Sequence, residues 1–165
     1  MKRTRDEQPA LYAPTDEELA SLQLVLALGR SFKFVDDYVR PRTLKLGLTM
    51  TEFAVLDVLQ THGPTPLGEL SQRILLTGAS TTYTVKKLEA RGLLVRRPLA
   101  TDQRVILGTL TDKGRGLLAR IYPVHARDLV HAMRALSIAE KRTVVRLLRK
   151  LRNLEPEGEI EPGGC

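Results

Sequence analysis

Apolar positions recur at helical spacing over most of the chain, and the interruptions between these stripes mark where each helix begins and ends. Thr15 followed by Glu18 is a capping-box signature, after which Leu19, Leu22, Leu26, Phe32 and Val39 continue until Pro41, which is expected to end a long first helix. Thr49 with Glu52 repeats the signature ahead of Phe53, Val55, Leu56, Val58 and Leu59, and His62-Gly63-Pro64 closes a shorter second helix. Thr65-Pro66 opens the segment LGELSQRIL, with proline expected at the first helical position, where its missing N–H costs least. A break at Leu76-Thr77-Gly78 leads into ASTTYTVKKLEARG, in which Val85 and Leu88 face inward and Gly92 closes the helix as a left-handed C-cap. Two short helices around a tight break, the second starting in hydroxyl residues and carrying two lysines, predict a helix-turn-helix.

The period then changes. LLVRR and RVILGTL are rich in aliphatic and β-branched residues and flank PLATDQ, so they predict two strands joined by a polar loop with basic flanks, a wing. Such a hairpin can lay its tip along a phosphate backbone or place an arginine in the minor groove. Asp102, beside Arg104, is expected to aim neighbouring arginines rather than meet phosphate itself. Thr111 starts another long helical segment, GLLARIYPVHARDLVHAMRAL, bent at Pro123, and Ser137 with Glu140 caps a last helix striped by Val144, Leu147, Leu148, Leu151 and Leu154. Neither terminal helix belongs to a minimal winged module, so both are expected to pack together and against a second subunit. A two-fold dimer would set its reading helices about one DNA turn, ~34 Å, apart on a pseudo-palindrome. The expected fold is mainly α with a small β-wing. The expected divisions are a flexible arm over 1–14, a dimerisation helix over 15–46, a winged helix-turn-helix lobe over 47–111, C-terminal dimerisation helices over 112–154 and a flexible acidic tail over 155–165.

Composition narrows this picture. Of 165 residues 42% are apolar but only 4% aromatic, with no tryptophan, so the core must be built from Leu, Val, Ile and Ala. The net charge of +7 is unevenly placed. Between Ser71 and Arg115 lie Arg73, Lys86, Lys87, Arg91, Arg96, Arg97, Arg104, Lys113 and Arg115, against Glu89, Asp102 and Asp112. A second cluster, Lys141, Arg142, Arg146, Arg149, Lys150 and Arg152, precedes the tail EPEGEIEPGGC. A basic block points to a polyanion partner, and a solvated charged face is the plainer alternative. No secretory signal is readable, and LASLQLVLALG is well short of the ~20 apolar residues that span a bilayer, so a cytoplasmic chain with no membrane partner is expected.

Little in the chain could carry covalent or metal chemistry. No G-x-S-x-G, H-E-x-x-H, phosphate-binding glycine loop or Cys-His arrangement occurs, which argues against an enzyme and against a cofactor. His125 and His131 lie six apart, so one helix does not present them as a metal pair, leaving only a site across subunits. Cys165, the only cysteine, stands on a Gly-Gly tail beside glutamates and lacks the cationic surroundings of a redox thiol. A winged-helix module that binds protein stays open, although the basic second helix and wing argue for DNA.

LTMTEFAVLDVL, TGASTTYTVKKLEARGLLVRR, TDQR in the wing and LTDKG together resemble the MarR-type transcriptional regulators, over residues 15 to 154. The resemblance implies a homodimeric repressor of a pseudo-palindromic operator, released by a small effector. It places Ser80, Thr81, Thr82, Thr84, Lys86 and Lys87 on the recognition helix, and Asp102 and Arg104 at the wing positions where an aspartate supports a minor-groove arginine. Arg96 and Arg97 join these as DNA-binding candidates from the basic block. TEFAVLDVL, RILLTGAS and IYPVHA look most like the branch that senses quinones and phenolic compounds; redox- and metal-responsive relatives are the alternative. A phenolic pocket needs apolar walls and a polar anchor, for which Phe32, Phe34, Asp36, Tyr38, Arg42 and Phe53 are candidates, although for any one of the phenylalanines plain core is the favoured reading.

Overall fold

The computed structural model describes residues 12–74 and 78–151, arranged as two compact units, Met1–Asp36 and Asp37–Cys165. The break expected at Leu76-Thr77, the N-terminal arm up to residue 11, Arg152, Leu154, the acidic tail and Cys165 lie outside the described residues.

In the first unit, Thr15 and Glu18 cap helix α1 (Asp16–Lys45): the Thr15 N–H donates to the Glu18 carboxylate at 2.8 Å and the Glu18 N–H returns to the Thr15 hydroxyl at 3.3 Å. Leu19, Leu22, Leu24, Val25, Leu26, Phe32 and Phe34 on this stretch are all exposed.

α1 continues into the second unit, and Pro41 does not end it. Proline removes one intrahelical N–H. Burial of Val39 and Thr43 on either side holds the turn, and the Thr43 hydroxyl donates to the Val39 carbonyl at 3.1 Å. Helix α2 (Met50–His62) starts at the expected box, with both the Thr49 and Glu52 bonds in place. Thr65-Pro66 is a correction: the pair forms a short strand, β1 (Thr65–Pro66), and the proline caps helix α3 (Leu67–Arg73) from outside instead of occupying its first position. Packing of the segment against the wing outweighs the local helix-start signal.

Helix α4 (Gly78–Ala90) ends in the expected left-handed glycine, with Gly92 at φ +69°. The Leu93 N–H reaches back to the Leu88 carbonyl and the Gly92 N–H to the Glu89 carbonyl, which is a complete Schellman motif. Strands β2 (Leu94–Leu99) and β3 (Asp102–Leu110) pair antiparallel, and β1 joins β3 on its other side, giving the order β1-β3-β2. The wing strands are longer than expected. Pro98 and Leu99 extend β2, Asp102 and Gln103 extend β3, and the turn is reduced to Ala100-Thr101 with a register shift at Pro98/Leu99.

Helix α5 (Asp112–Ala132) is capped by the Thr111 hydroxyl and runs through Pro123. Helix α6 (Ile138–Leu151) starts at the reciprocal Ser137–Glu140 box. The core of this unit joins Leu56 and Leu59 of α2, Leu70 of α3, Val85 and Leu88 of α4, Leu94 and Leu110 of the sheet, and Leu118 and Ile121 of α5. Each such side chain contributes about 1.5–3 kcal/mol by leaving water. α6 buries no residue, and Ile138, Val144, Val145, Leu147 and Leu151 lie exposed along it.

Candidate nucleic-acid interface

The core fixes which face of α4 looks outward. Val85 and Leu88 are fully buried, and Thr81 and Thr84 share their face at 1% and 7% exposure, the Thr84 hydroxyl donating to the Ser80 carbonyl at 2.9 Å. Thr81 and Thr84 are therefore packing residues and leave the set of candidate groove contacts. The exposed residues with polar or aromatic side chains are Ser80, Thr82, Tyr83, Lys86 and Lys87. Tyr83 was not anticipated from the sequence. It is 71% exposed, and the signal that could have found it is its position one residue from Thr82 and three from Lys86, off the inward stripe.

The basic block separates into committed and uncommitted cations. Lys87 and Arg91 both pair with Glu52, at 2.9 Å and 3.4 Å. Arg96 donates its Nε to Glu89 at 2.7 Å, while its backbone N–H reaches the other Glu89 oxygen at 3.1 Å. Arg73 is held by Glu69 and Arg115 by Asp112. Lys113 donates to the Arg91 carbonyl at 2.8 Å. Lys86, Arg97 and Arg104 are exposed and make no side-chain ion pair among the described residues. These three stand on consecutive elements, α4, β2 and β3, and give the lobe a positive surface without internal neutralisation.

Asp102 acts on Arg104 through the backbone. Its Oδ1 accepts the Arg104 N–H at 2.9 Å, a local turn that fixes the direction in which residue 104 leaves the strand. The guanidinium remains available. Beside α4, a cleft of about 630 Å³ is lined by Arg40, Thr49, Glu52, Ser80, Tyr83 and Lys87, among others.

A helix-turn-helix with a three-stranded wing is matched by known proteins. Residues 46–105 match the MarR family model. The transcriptional regulator MhqR of Bacillus subtilis is 38% identical over 131 residues, covering 79% of this chain and 90% of that protein. The chain belongs to the MarR family. It is a transcriptional regulator and not an enzyme. Among other MarR-like relatives, the transcriptional repressor NicR of Pseudomonas putida is 31% identical over 104 residues, 63% of this chain and 66% of NicR. The solved structure of Bordetella bronchiseptica BpsR, whose DNA binding is regulated by 6-hydroxynicotinic acid, is 27% identical with a TM-score of 0.65, covering 82% of this chain and 99% of BpsR.

The effector candidates of this MarR-family chain fall in both units, Phe32, Phe34 and Asp36 in the first and Tyr38, Arg42 and Phe53 in the second. Phe32 and Phe34 are 75% and 58% exposed, and Asp36 is partly buried. Phe53 is core, edge-on to Tyr122 at 5.6 Å and 4.6 Å from the His125 ring. Tyr38 and Arg42 do come together. With Pro41, Lys45 and Asp128 they line a cavity of about 200 Å³, in which Arg42 donates to buried Asp128 at 2.6 Å and Tyr38 stacks on His131 at 5.6 Å. A second polar group lies between α2 and α5. Tyr122 donates to Asp57, whose carboxyl is pushed up by burial, with His125 and His62 acting in the opposite direction. The His125 Nδ1 is buried without a hydrogen bond among the described residues, and burial holds that imidazole below its ordinary value. Sequence reasoning missed Asp57, Tyr122 and Asp128, and weighed His125 only as a metal candidate, because their partners lie far away along the chain. No helix among the described residues is long and apolar enough to cross a membrane.

Proposed function

We propose that the protein is a homodimeric repressor that reads a pseudo-palindromic operator with α4 and its wing, and that a hydroxylated aromatic effector releases it. The observation that carries the reading is the sorting of the basic block, in which Lys86, Arg97 and Arg104 stay exposed and unpaired while other cations are bound internally. Ser80, Thr82, Tyr83 and Lys86 contact base edges and phosphates in the major groove; Arg97 and Arg104 meet the backbone and the adjacent minor groove. A second copy of the chain covers the apolar residues of α6 and those of α1 before Asp36, a reading supported by the absence of any buried residue on α6.

For the effector, support comes from the cavity at Tyr38, Arg42, Lys45 and Asp128. Lys45, together with the guanidinium N–H groups of Arg42 that Asp128 does not take, suits an acidic hydroxyl or a carboxylate, and the size suits one ring, since drug-sized ligands need ~300 Å³ or more. The hydroxylated aromatic acid that regulates BpsR belongs to this class. Release requires the effector to bind the DNA-incompetent arrangement more tightly than the competent one.

The test is fluorescence anisotropy on the DNA upstream of the chain's own gene across a salt series, with and without a panel of phenols, quinones and hydroxylated aromatic acids. Tight binding that weakens steeply with salt and is relieved by a panel member is the expected result. Salt-insensitive association with a protein partner instead of DNA would overturn the reading.

A further inference from the structure

Glu52 is 3% exposed and carries three jobs at once. Its Oε2 accepts the Thr49 N–H at 2.8 Å and so starts α2. Its Oε1 faces Lys87, on the last turn of α4, at 2.9 Å and Arg91, just past the end of that helix, at 3.4 Å. Arg91 in turn donates its other amino group to the Gly47 carbonyl at 2.7 Å, in the loop between α1 and α2. One carboxylate therefore ties the C-terminal half of the reading helix to the start of α2 and, through Arg91, to the loop before it.

Burial alone would push Glu52 toward its neutral form; the Thr49 N–H, Lys87 and Arg91 more than offset this and hold it below the ordinary glutamate value. The clamp is charged at neutral pH. Its second effect is electrostatic: Lys87 and Arg91, which α4 and its end could offer to phosphate, share one internal carboxylate that draws both inward and offsets one of their two charges. A helix that slid or rolled on DNA to bring Lys87 to a phosphate would have to leave a buried carboxylate behind, which is expensive.

We propose that Glu52 is a positioning residue for operator recognition: it fixes α4 in one orientation and withholds Lys87 and Arg91 from the phosphate backbone, so that discrimination between sequences is gained at the cost of general affinity. The inference rests on the DNA-binding reading above and predicts a change that mere damage to the fold does not produce, a rise in affinity for the wrong DNA.

The experiment compares wild type, Glu52→Gln and Lys87→Met on two duplexes, the one that the wild-type chain selects from a random pool and a scrambled version of it, each across a salt series. Glutamine keeps an acceptor for the Thr49 N–H and removes the charge. Glu52→Gln is expected to bind scrambled DNA severalfold more tightly, to steepen the slope of log K against log salt by about 1 to 2, at ~0.9 for each cation released to a phosphate, and to lose most of its preference for the selected duplex. Lys87→Met is expected to leave the slope on scrambled DNA unchanged. It also decides the matter by itself if circular dichroism shows that Glu52→Gln has not folded. An unchanged slope and preference in folded Glu52→Gln, or a slope lowered by about one in Lys87→Met, overturns the inference. Failure of the wild-type chain to select any duplex overturns the DNA-binding reading itself.

Discussion

Gly114, at the start of α5, lies so close to Leu93 that a β-carbon on it would stand 2.1 Å from the Leu93 carbonyl oxygen and 2.8 Å from a Leu110 methyl. The glycine of LTDKG is thus a contact between the last long helix and the base of the wing, where Leu94 pairs with Leu110. Gly114→Ala must move backbone, and overpacking of this kind costs about 1–3 kcal/mol. The urea midpoint should fall with an unchanged m-value, and DNA affinity should fall with it. A variant as stable as wild type would show that α5 and the wing are not in rigid register.

Arg104→Ala should weaken binding to the selected operator by about 1–3 kcal/mol and lower the salt slope by about one, leaving oligomeric state unchanged. Because Asp102 touches the Arg104 backbone and not its guanidinium, Asp102→Asn should keep most of the affinity, and Asp102→Ala should lose about 0.5–1.5 kcal/mol, the net worth of one hydrogen bond. Equal losses in Asn and Ala variants would assign the aspartate an electrostatic role instead.

Arg42→Gln leaves buried Asp128 without its charged donor. Stability should drop by about 1–3 kcal/mol, the cost of leaving a buried acceptor short of its partner. The concentration of hydroxylated aromatic acid needed for half-release from DNA should rise at least tenfold. Isothermal titration with the effector found in the panel measures the second effect directly; unchanged affinity removes the Tyr38–Arg42–Asp128 cavity from the mechanism.

His125 gives stability a pH dependence of predictable sign. Burial depresses its folded value, with Asp57 and Asp128 acting the other way, so the unfolded chain takes up a proton at higher pH than the folded chain does. Its contribution is full above the unfolded value of ~6.5 and declines as pH falls toward the depressed folded value. His125→Gln should flatten this slope between about pH 5 and 7 in thermal melts. Asp57 has the opposite sign at more acid pH: its raised folded value favours the folded chain until pH climbs through that value, so Asp57→Asn should remove the opposing slope.

What the sequence disclosed was mainly local. Thr15/Glu18, Thr49/Glu52, Thr111 and Ser137/Glu140 specify helix starts with side chains three residues from the backbone they satisfy, and all four are in place. Gly92 is equally local, since only its own φ decides the turn. Pro41 and Pro66 misled because a proline's local preference was set against tertiary packing that the sequence does not print: buried Val39 and Thr43 in one case, pairing with β3 in the other. The candidate site divides the same way. Which α4 residues face out follows from the Val85–Leu88 stripe, which should also have placed Thr81 and Thr84 inward. That Lys87 and Arg96 are committed to Glu52 and Glu89 depends on contacts between α2 and α4 and between α4 and β2, which charge counting cannot see.

Both outer strands of the sheet contain a proline. β1 carries Pro66, opposite Leu107, and β2 carries Pro98, opposite Ile106 at the register shift. An outer strand normally offers a row of unpaired N–H groups on which another chain can build, and proline, which has no N–H, is one of the residues that discourage such growth on an outer strand. A hairpin that stands away from its protein, as the proposed complex requires, is the element most exposed to this hazard. Here the hazard is countered by two residues that contact no DNA in the proposed complex, so the chain should remain free of strand-mediated polymerisation at concentrations where Pro98→Thr begins to form thioflavin-positive aggregates.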